Sequence, residues 1–168
     1  MIDPSHLLDQ AERLLLPIEG ATSPRITDRC RAVSATYYAV FHAGLIAAAD
    51  QLIGHEKRGT SLYALAYRSV DHGKMKSLCK DLVKLPPPEK YSKYKPPDGW
   101  DDTLRGYMDI FVTLNDQRML ADYDPAHVIT SSEVETYIRI ARQAIADITS
   151  AEENSRRSFL TLLLFPLR

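Results

Sequence analysis

The sequence predicts an all-α protein, an antiparallel up-and-down bundle of four to five helices. Apolar residues recur with the helical period along almost the whole chain of 168 residues. No segment alternates between apolar and polar residues for long enough to predict a strand. The chain also lacks a βαβ pattern, a glycine-rich phosphate loop and internal repeats, which excludes most nucleotide-binding folds.

The first two predicted helices occupy the amino-terminal third of the chain. The first runs from about residue 4 to residue 18 and carries one apolar stripe. The segment EGATSP ends it, and Ser23 before Pro24 predicts the start of the second helix. We expect the second helix to run to about Ile53 and to close at Gly54, which can adopt the left-handed conformation.

Residues 31–45, RAVSATYYAVFHAGL, place three aromatic side chains and a histidine on a helix that is otherwise small and apolar. A helix that is apolar around most of its circumference is buried on several sides, so this is the central helix of the bundle or also lines a dimer interface. The hydroxyls of Tyr37 and Tyr38 then need hydrogen-bond partners. His42 is either a hydrogen-bonded packing residue or a catalytic one.

The third helical region covers about residues 60–84, with a bend expected near residues 71–73. Residues 85–100, LPPPEKYSKYKPPDGW, contain five of the ten prolines and therefore predict a long loop rather than a helix. A loop of this length in a compact domain is usually functional or disordered.

The fourth and fifth helices are predicted from their capping residues. Asp101 or Asp102 caps a helix that runs to about Asp122. The segment TSSEVE then opens the last helix, because Thr130, Ser131 or Ser132 can cap it and two acidic residues, Glu133 and Glu135, lie in its first turn, where the helix dipole favours them.

We expect residues 1–150 to form a single domain and residues 151–168 to extend the last helix as an apolar C-terminal tail. The stretch SFLTLLLFPL at 158–167 is too short to span a bilayer. Such an apolar segment is covered by the bundle, by a second subunit or by a partner, and the last two are favoured.

Composition predicts a cytoplasmic protein that does not enter a membrane. The amino terminus mixes acidic with apolar residues and has no basic segment, so no secretory signal is predicted. The apolar runs are shorter than a membrane span, and two cysteines give no disulfide framework. No cofactor and no metal site are predicted either, because Cys30, Cys79 and His72 have no paired-ligand spacing.

The charge of the chain is unevenly distributed. Its net charge is −1, yet residues 57–95 hold ten basic and three acidic side chains, a balance of +7 against −8 for the remainder. This asymmetry indicates either a face that binds a polyanion or a basic helix that faces the protein's own acidic residues.

Two motifs resemble those of a known superfamily. The segment RCRAVSATYYAVFHA at 29–43 resembles the second-helix signature of the HEPN superfamily, approximately R-x-A-V-S-x-x-Y-Y-A-x-F-H-A. The segment RMLADYDP at 118–125 resembles the R-x-x-A-D-Y-D-P sequence that closes a later helix in a branch of small stand-alone bacterial and archaeal HEPN proteins.

The resemblance implies an all-helical bundle that is usually homodimeric and often belongs to bacterial defence or toxin–antitoxin systems. Many members are metal-independent ribonucleases that use an arginine and a histidine four to six positions further on. The histidine can move a proton to or from the ribose 2′-hydroxyl or the leaving oxygen, and the arginine can hold the phosphate. Other members are non-catalytic binding or dimerisation modules.

The candidate catalytic residues are Arg118, His127 and His42. Arg118 is either a phosphate-holding residue, with His127 folding back over the turn, or one half of a structural ion pair with Asp122. The chain does not match the family's arginine–histidine spacing. Two hypotheses follow: RNA binding or cleavage with a degenerate nuclease motif, and non-catalytic docking of a partner protein such as a nucleotidyltransferase.

Six further residues are candidates for nucleic-acid binding. On the predicted third helix, Arg68, His72 and Lys76 recur at i, i+4, i+8 and can face one groove. In the proline-rich loop, cations and aromatic rings alternate, a pattern typical of single-stranded nucleic-acid binding and also of loops that fold onto their own domain. The loop candidates are Lys93, Tyr94 and Lys95.

Overall fold

The structure, a computed structural model, describes residues 2–167. These residues form seven α-helices and two short 3-10 helices and contain no strand, so the all-α prediction is confirmed for them. The α-helices are α1 (Pro4–Leu14), α2 (Ile26–Ile53), α3 (Ser61–Tyr67), α4 (His72–Leu82), α5 (Asp102–Tyr123), α6 (Ser131–Ser150) and α7 (Glu153–Leu164). The 3-10 helices are His55–Lys57 and Glu89–Tyr94.

The helices outnumber the four to five predicted, because two predicted helices are each divided. The third helical region splits into α3 and α4 where the Asp71 side chain accepts a hydrogen bond from the Lys74 backbone N–H at 2.8 Å and starts a new helix. The last helix also stops at Ser150, and α7 begins at Glu153. The prediction that residues 151–168 extend the last helix is therefore wrong.

The other predicted boundaries agree with the structure to within a few residues, except that α1 ends at Leu14 rather than near residue 18. The second helix closes at Gly54, as predicted, with φ 101°. The Asp101 side chain caps α5. Thr130 and Glu133 form a capping box at the start of α6.

Helix α2 is the centre of the molecule and contacts α1, α3, α5, α6 and α7. Its length and composition would also allow it to cross a membrane, and 78% of its most apolar 18-residue window is buried inside the protein. Burial on several sides accounts for a helix that is apolar around most of its circumference.

Helices α2 and α5 run antiparallel, and their contacts align the two motifs. Tyr107 near the start of α5 donates its hydroxyl hydrogen to the Val40 carbonyl at 3.3 Å. Further along α5, the Asn115 amide donates to the Tyr37 hydroxyl at 2.9 Å. The end of α5 therefore lies beside the beginning of α2.

The apolar tail packs on its own bundle. Four side chains of the stretch 158–167 are buried in the main core, although the sequence favours a second subunit or a partner as their cover. Tight packing against the domain removes these side chains from the surface that another chain could contact. The four buried side chains are Phe159, Leu160, Leu162 and Leu163.

Candidate functional site

The carboxylate of Asp122 joins the two sequence motifs. Its Oδ1 accepts a hydrogen bond from the Ser34 hydroxyl at 2.6 Å, and its Oδ2 lies 2.7 Å from Arg118 Nε. Arg31 Nη1 approaches the same carboxylate at 3.9 Å. The predicted Arg118–Asp122 ion pair is present, and the side chains are 18% and 13% exposed, respectively.

Arg118 has weak partners for most of its donors. Its Nη2 donates to the Tyr38 hydroxyl at 3.3 Å, and its Nη1 donates to the Met119 sulfur at 3.3 Å. Its Nε is buried and makes no hydrogen bond, despite the short ion-pair distance to Asp122. A guanidinium carries five N–H donors; with Nε facing Asp122 and one N–H of each Nη group used, two remain for an anionic ligand.

A groove of about 770 Å³ lies between the start of α2 and the end of α5, lined by residues from the ranges 26–38 and 118–127. We call it the α2–α5 groove. Arg118 and His127, two of the predicted catalytic residues, both line it. His127 Nε2 is buried and makes no hydrogen bond within the described part of the chain.

His42, the third predicted catalytic residue, does not line this groove and instead lies with His72 around Tyr38. The His42 and His72 rings lie 6.1 and 5.7 Å from the Tyr38 ring, and the Arg118 guanidinium lies 5.7 Å from it. Phe41 packs against the same group of rings, since its ring stacks on the His72 ring with 4.0 Å between the two ring centroids. The structure thus groups two histidines and one arginine, which we call the His42–His72–Arg118 cluster.

A hydrogen-bonded chain orients His72. The Tyr37 hydroxyl accepts from the Asn115 amide and lies 2.6 Å from His72 Nδ1. Burial raises the pKa of Tyr37 to about 12, so this hydroxyl keeps its hydrogen. It therefore donates to Nδ1, which places the proton of the neutral His72 ring on Nε2.

Both histidines favour the neutral form. Burial is the main cause that lowers the pKa of His72, and the nearby Arg118 charge lowers it further against the opposite effect of Asp71. Burial also lowers the pKa of His42, and the neighbouring His72 adds to this effect. The His42 Nδ1 lies 2.5 Å from the Tyr67 hydroxyl. Neutral imidazoles near pH 7 can accept protons, which is what general-base chemistry needs.

The three helix candidates for nucleic-acid binding do not share a face. Arg68 terminates α3 and donates to the Ala64 carbonyl, whereas His72 begins α4, so the break between the two helices separates them. Lys76 follows on α4 but pairs with Asp116 of α5. Of the three, only His72 belongs to the His42–His72–Arg118 cluster.

The loop candidates lie at the other end of α4. Lys93, Tyr94 and Lys95 are exposed, but the same loop is fixed near the end of α4 by a 2.8 Å ion pair between Lys90 and Asp81. Nine residues of helix, about 13 Å, separate Asp81 from His72. Two aromatic rings of the loop, Tyr91 and Trp100, are buried in the main core rather than available to a base; these loop candidates thus form no part of the cluster.

Intramolecular ion pairs take up much of the basic segment. Six of its ten basic side chains lie within 4.0 Å of a carboxylate of the protein, namely Arg58, Lys74, Lys76, Lys80, Lys84 and Lys90. Two of these carboxylates, Asp71 and Asp81, are already counted in the balance of +7, so only Asp50 and Asp116 outside the segment offset it, to +5. The segment therefore keeps a net positive charge, although six of its basic side chains contact carboxylates at the protein's own surface.

Sequence reasoning missed the residues that organise the cluster. Asn115 and Tyr67 carry no motif, and their partners Tyr37 and His42 are 78 and 25 residues away in the chain. The only local signal was the pair of adjacent tyrosines on α2, whose hydroxyls each required a partner. The structure identifies these partners as Asn115 and His72 for Tyr37, and Arg118 for Tyr38.

No family model, curated protein or solved structure matches the chain.

Proposed function

We propose that the protein is a HEPN-like, metal-independent ribonuclease that acts at the His42–His72–Arg118 cluster. The observation that carries the proposal is the grouping of two neutral histidines and an arginine with unused donors around the Tyr38 ring. The alignment of the two HEPN-like motifs through Asp122 supports the resemblance.

The proposed chemistry is a proton transfer at RNA. One histidine, in its neutral form, takes the proton of the ribose 2′-hydroxyl, and that oxygen attacks the adjacent phosphorus. The other histidine, in its protonated form, gives a proton to the leaving 5′-oxygen. Arg118 holds the phosphate oxygens through its free N–H groups and stabilises the charge that develops on them.

Cleavage of a fluorogenic single-stranded RNA in EDTA tests the proposal. We expect His72→Gln and His42→Gln each to lower the rate at least about 100-fold, as loss of a general acid or base does. The matched control is His6→Gln, because His6 is exposed and outside the cluster. A 2′-deoxy substitution at the cleaved position should abolish the reaction.

The rate should depend on pH with a maximum below 6.5, since both cluster histidines have a pKa below that ordinary value and one of them must be protonated. Activity that requires a divalent metal, or that survives in the double histidine variant, contradicts the proposal.

Exposed apolar residues favour a second candidate function, the non-catalytic docking of a partner chain such as a second copy of this protein. Leu62 and Leu65 lie one turn apart on α3 and are 64% and 66% exposed. A homodimer through this face should become monomeric in light-scattering measurements of Leu62→Ser, Leu65→Ser. The control is Leu85→Ser, which removes a leucine that is exposed outside α3.

A further inference from the structure

We propose that the α2–α5 groove binds one unpaired RNA base next to the cluster, with the base stacked on Tyr123. This inference rests on the proposed function, which gives RNA as the class of substrate, and it narrows that class to single-stranded RNA. The groove touches the cluster directly, because Tyr38 and Arg118 belong to both. A nucleotide held there places its phosphate at the guanidinium.

The groove offers a flat aromatic surface. Tyr123 is 65% exposed, and the Arg118 guanidinium lies 5.4 Å from its ring, so the side chain is held beside the cluster while most of its surface is open. An aromatic ring next to an arginine is a platform on which nucleic-acid bases stack. Ile26 and Pro125 add apolar surface to the same groove.

The groove also offers polar groups for the edge of a base. His127 Nε2 is buried there without a hydrogen-bond partner in the described residues. A buried polar atom without a partner is uncommon, and a ligand that bonds to it removes the cost of its desolvation. A base is such a ligand, since its edge carries donors and acceptors in the plane of the ring.

The volume and charge of the groove fit one nucleotide rather than a duplex. About 770 Å³ lies within the range of about 300–1,000 Å³ that is usual for small-molecule sites. Arg31 is largely exposed at the groove and can contact a neighbouring phosphate. A base inserted beside Tyr123 must be unpaired, so duplex RNA is excluded from this mode of binding.

Calorimetric titration with adenosine 5′-monophosphate, with inorganic phosphate as the comparison, tests the inference. We expect the nucleotide to bind more tightly than phosphate and Tyr123→Ala to weaken its binding about tenfold while phosphate binding stays unchanged. Tyr123→Phe should retain the affinity because it keeps the ring. The matched control is Phe165→Ala, which removes an exposed aromatic side chain outside the groove.

Equal affinity for the nucleotide and phosphate, or an unchanged affinity in Tyr123→Ala, overturns the inference. Its failure is distinguishable from failure of the proposed function. His72→Gln should lose cleavage and keep Tyr123-dependent binding of the nucleotide. Binding without any cleavage by the wild type would contradict the ribonuclease alone, whereas cleavage that proceeds equally on duplex RNA would contradict the base site alone.

Discussion

At the residue scale, Asp122 is the carboxylate through which helices α2 and α5 are joined at the site. It accepts a hydrogen bond from the Ser34 hydroxyl and lies against Arg118 and Arg31, while its own side chain is only 13% exposed. A charge in such a position depends on its partners, because neither Asp122 nor Arg118 is well hydrated.

Asp122→Ala should therefore destabilise the protein by about 3 kcal/mol, since it leaves Arg118 largely buried without its counter-ion. Urea denaturation monitored by circular dichroism measures the change. The matched control is Asp116→Ala, which removes the partner of two lysines at the surface and should cost less than about 1 kcal/mol. Equal losses in the two variants would contradict the structural role of Asp122.

The cluster histidines make stability depend on pH. Their pKa values are lowered from the ordinary 6.5 by burial, so below pH 6.5 the unfolded chain binds more protons than the folded protein. The free energy of unfolding should be fully retained above pH 6.5 and should fall as the pH drops through the folded pKa values. Denaturation curves at pH 7.5 and 5.5 measure this fall, which His42→Gln, His72→Gln should reduce and His6→Gln should not.

At the element scale, the close approach of α2 to α4 and α5 depends on a residue without a side chain. Gly44 lies in the middle of α2, and a Cβ at this position would overlap Met75 Cε of α4 and the Tyr107 hydroxyl of α5. Met75 and Tyr107 are both fully buried, so neither can move away without disturbing the core.

Gly44→Ala should destabilise the protein by about 1–3 kcal/mol through overpacking, in excess of the gain of up to about 1 kcal/mol in helix propensity. The matched control is Gly73→Ala at an exposed position of α4, where the added Cβ would lie 3.3 Å from the flexible Asp71 side chain. The control should be neutral or stabilising. Thermal unfolding of both variants separates packing from propensity.

At the scale of the whole molecule, α7 is part of the hydrophobic core and does not project from the bundle. Its side chains join the main core formed by α2, α4 and α5, and the Ser155 hydroxyl lies against the start of α5. Residues 153–164 therefore belong to the folded domain, and removal of α7 would expose part of the core.

Phe159→Ala should cost about 3–5 kcal/mol, because the ring is fully buried. Phe165→Ala is the control, since Phe165 is 59% exposed just beyond the helix and should change stability by less than about 0.5 kcal/mol. Chemical denaturation of the two variants measures the change in the free energy of unfolding that each substitution causes. A similar, small effect of both substitutions would mean that α7 is not part of the core.

Much of the fold follows from local sequence. Helix periods, the caps Asp101 and Thr130 and the terminating Gly54 lie within a few residues of the groups they act on, so they could be predicted one segment at a time. The break at Ala151 was missed because no glycine or proline marks it; the Glu152 side chain starts α7 by accepting hydrogen bonds from the backbone N–H groups of Asn154 and Ser155.

The candidate site could be predicted only in part. The sequence by itself determined an all-helical chain, a buried aromatic α2 and the Arg118–Asp122 ion pair, because periodicity and i,i+4 spacing are local properties. The tertiary structure decided that His72 joins His42, that His127 lines the adjoining α2–α5 groove, and that Asn115 and Tyr67 orient the two imidazoles. These groupings depend on contacts between residues 25 to 80 positions apart, which packing of the helices fixes and local pattern does not.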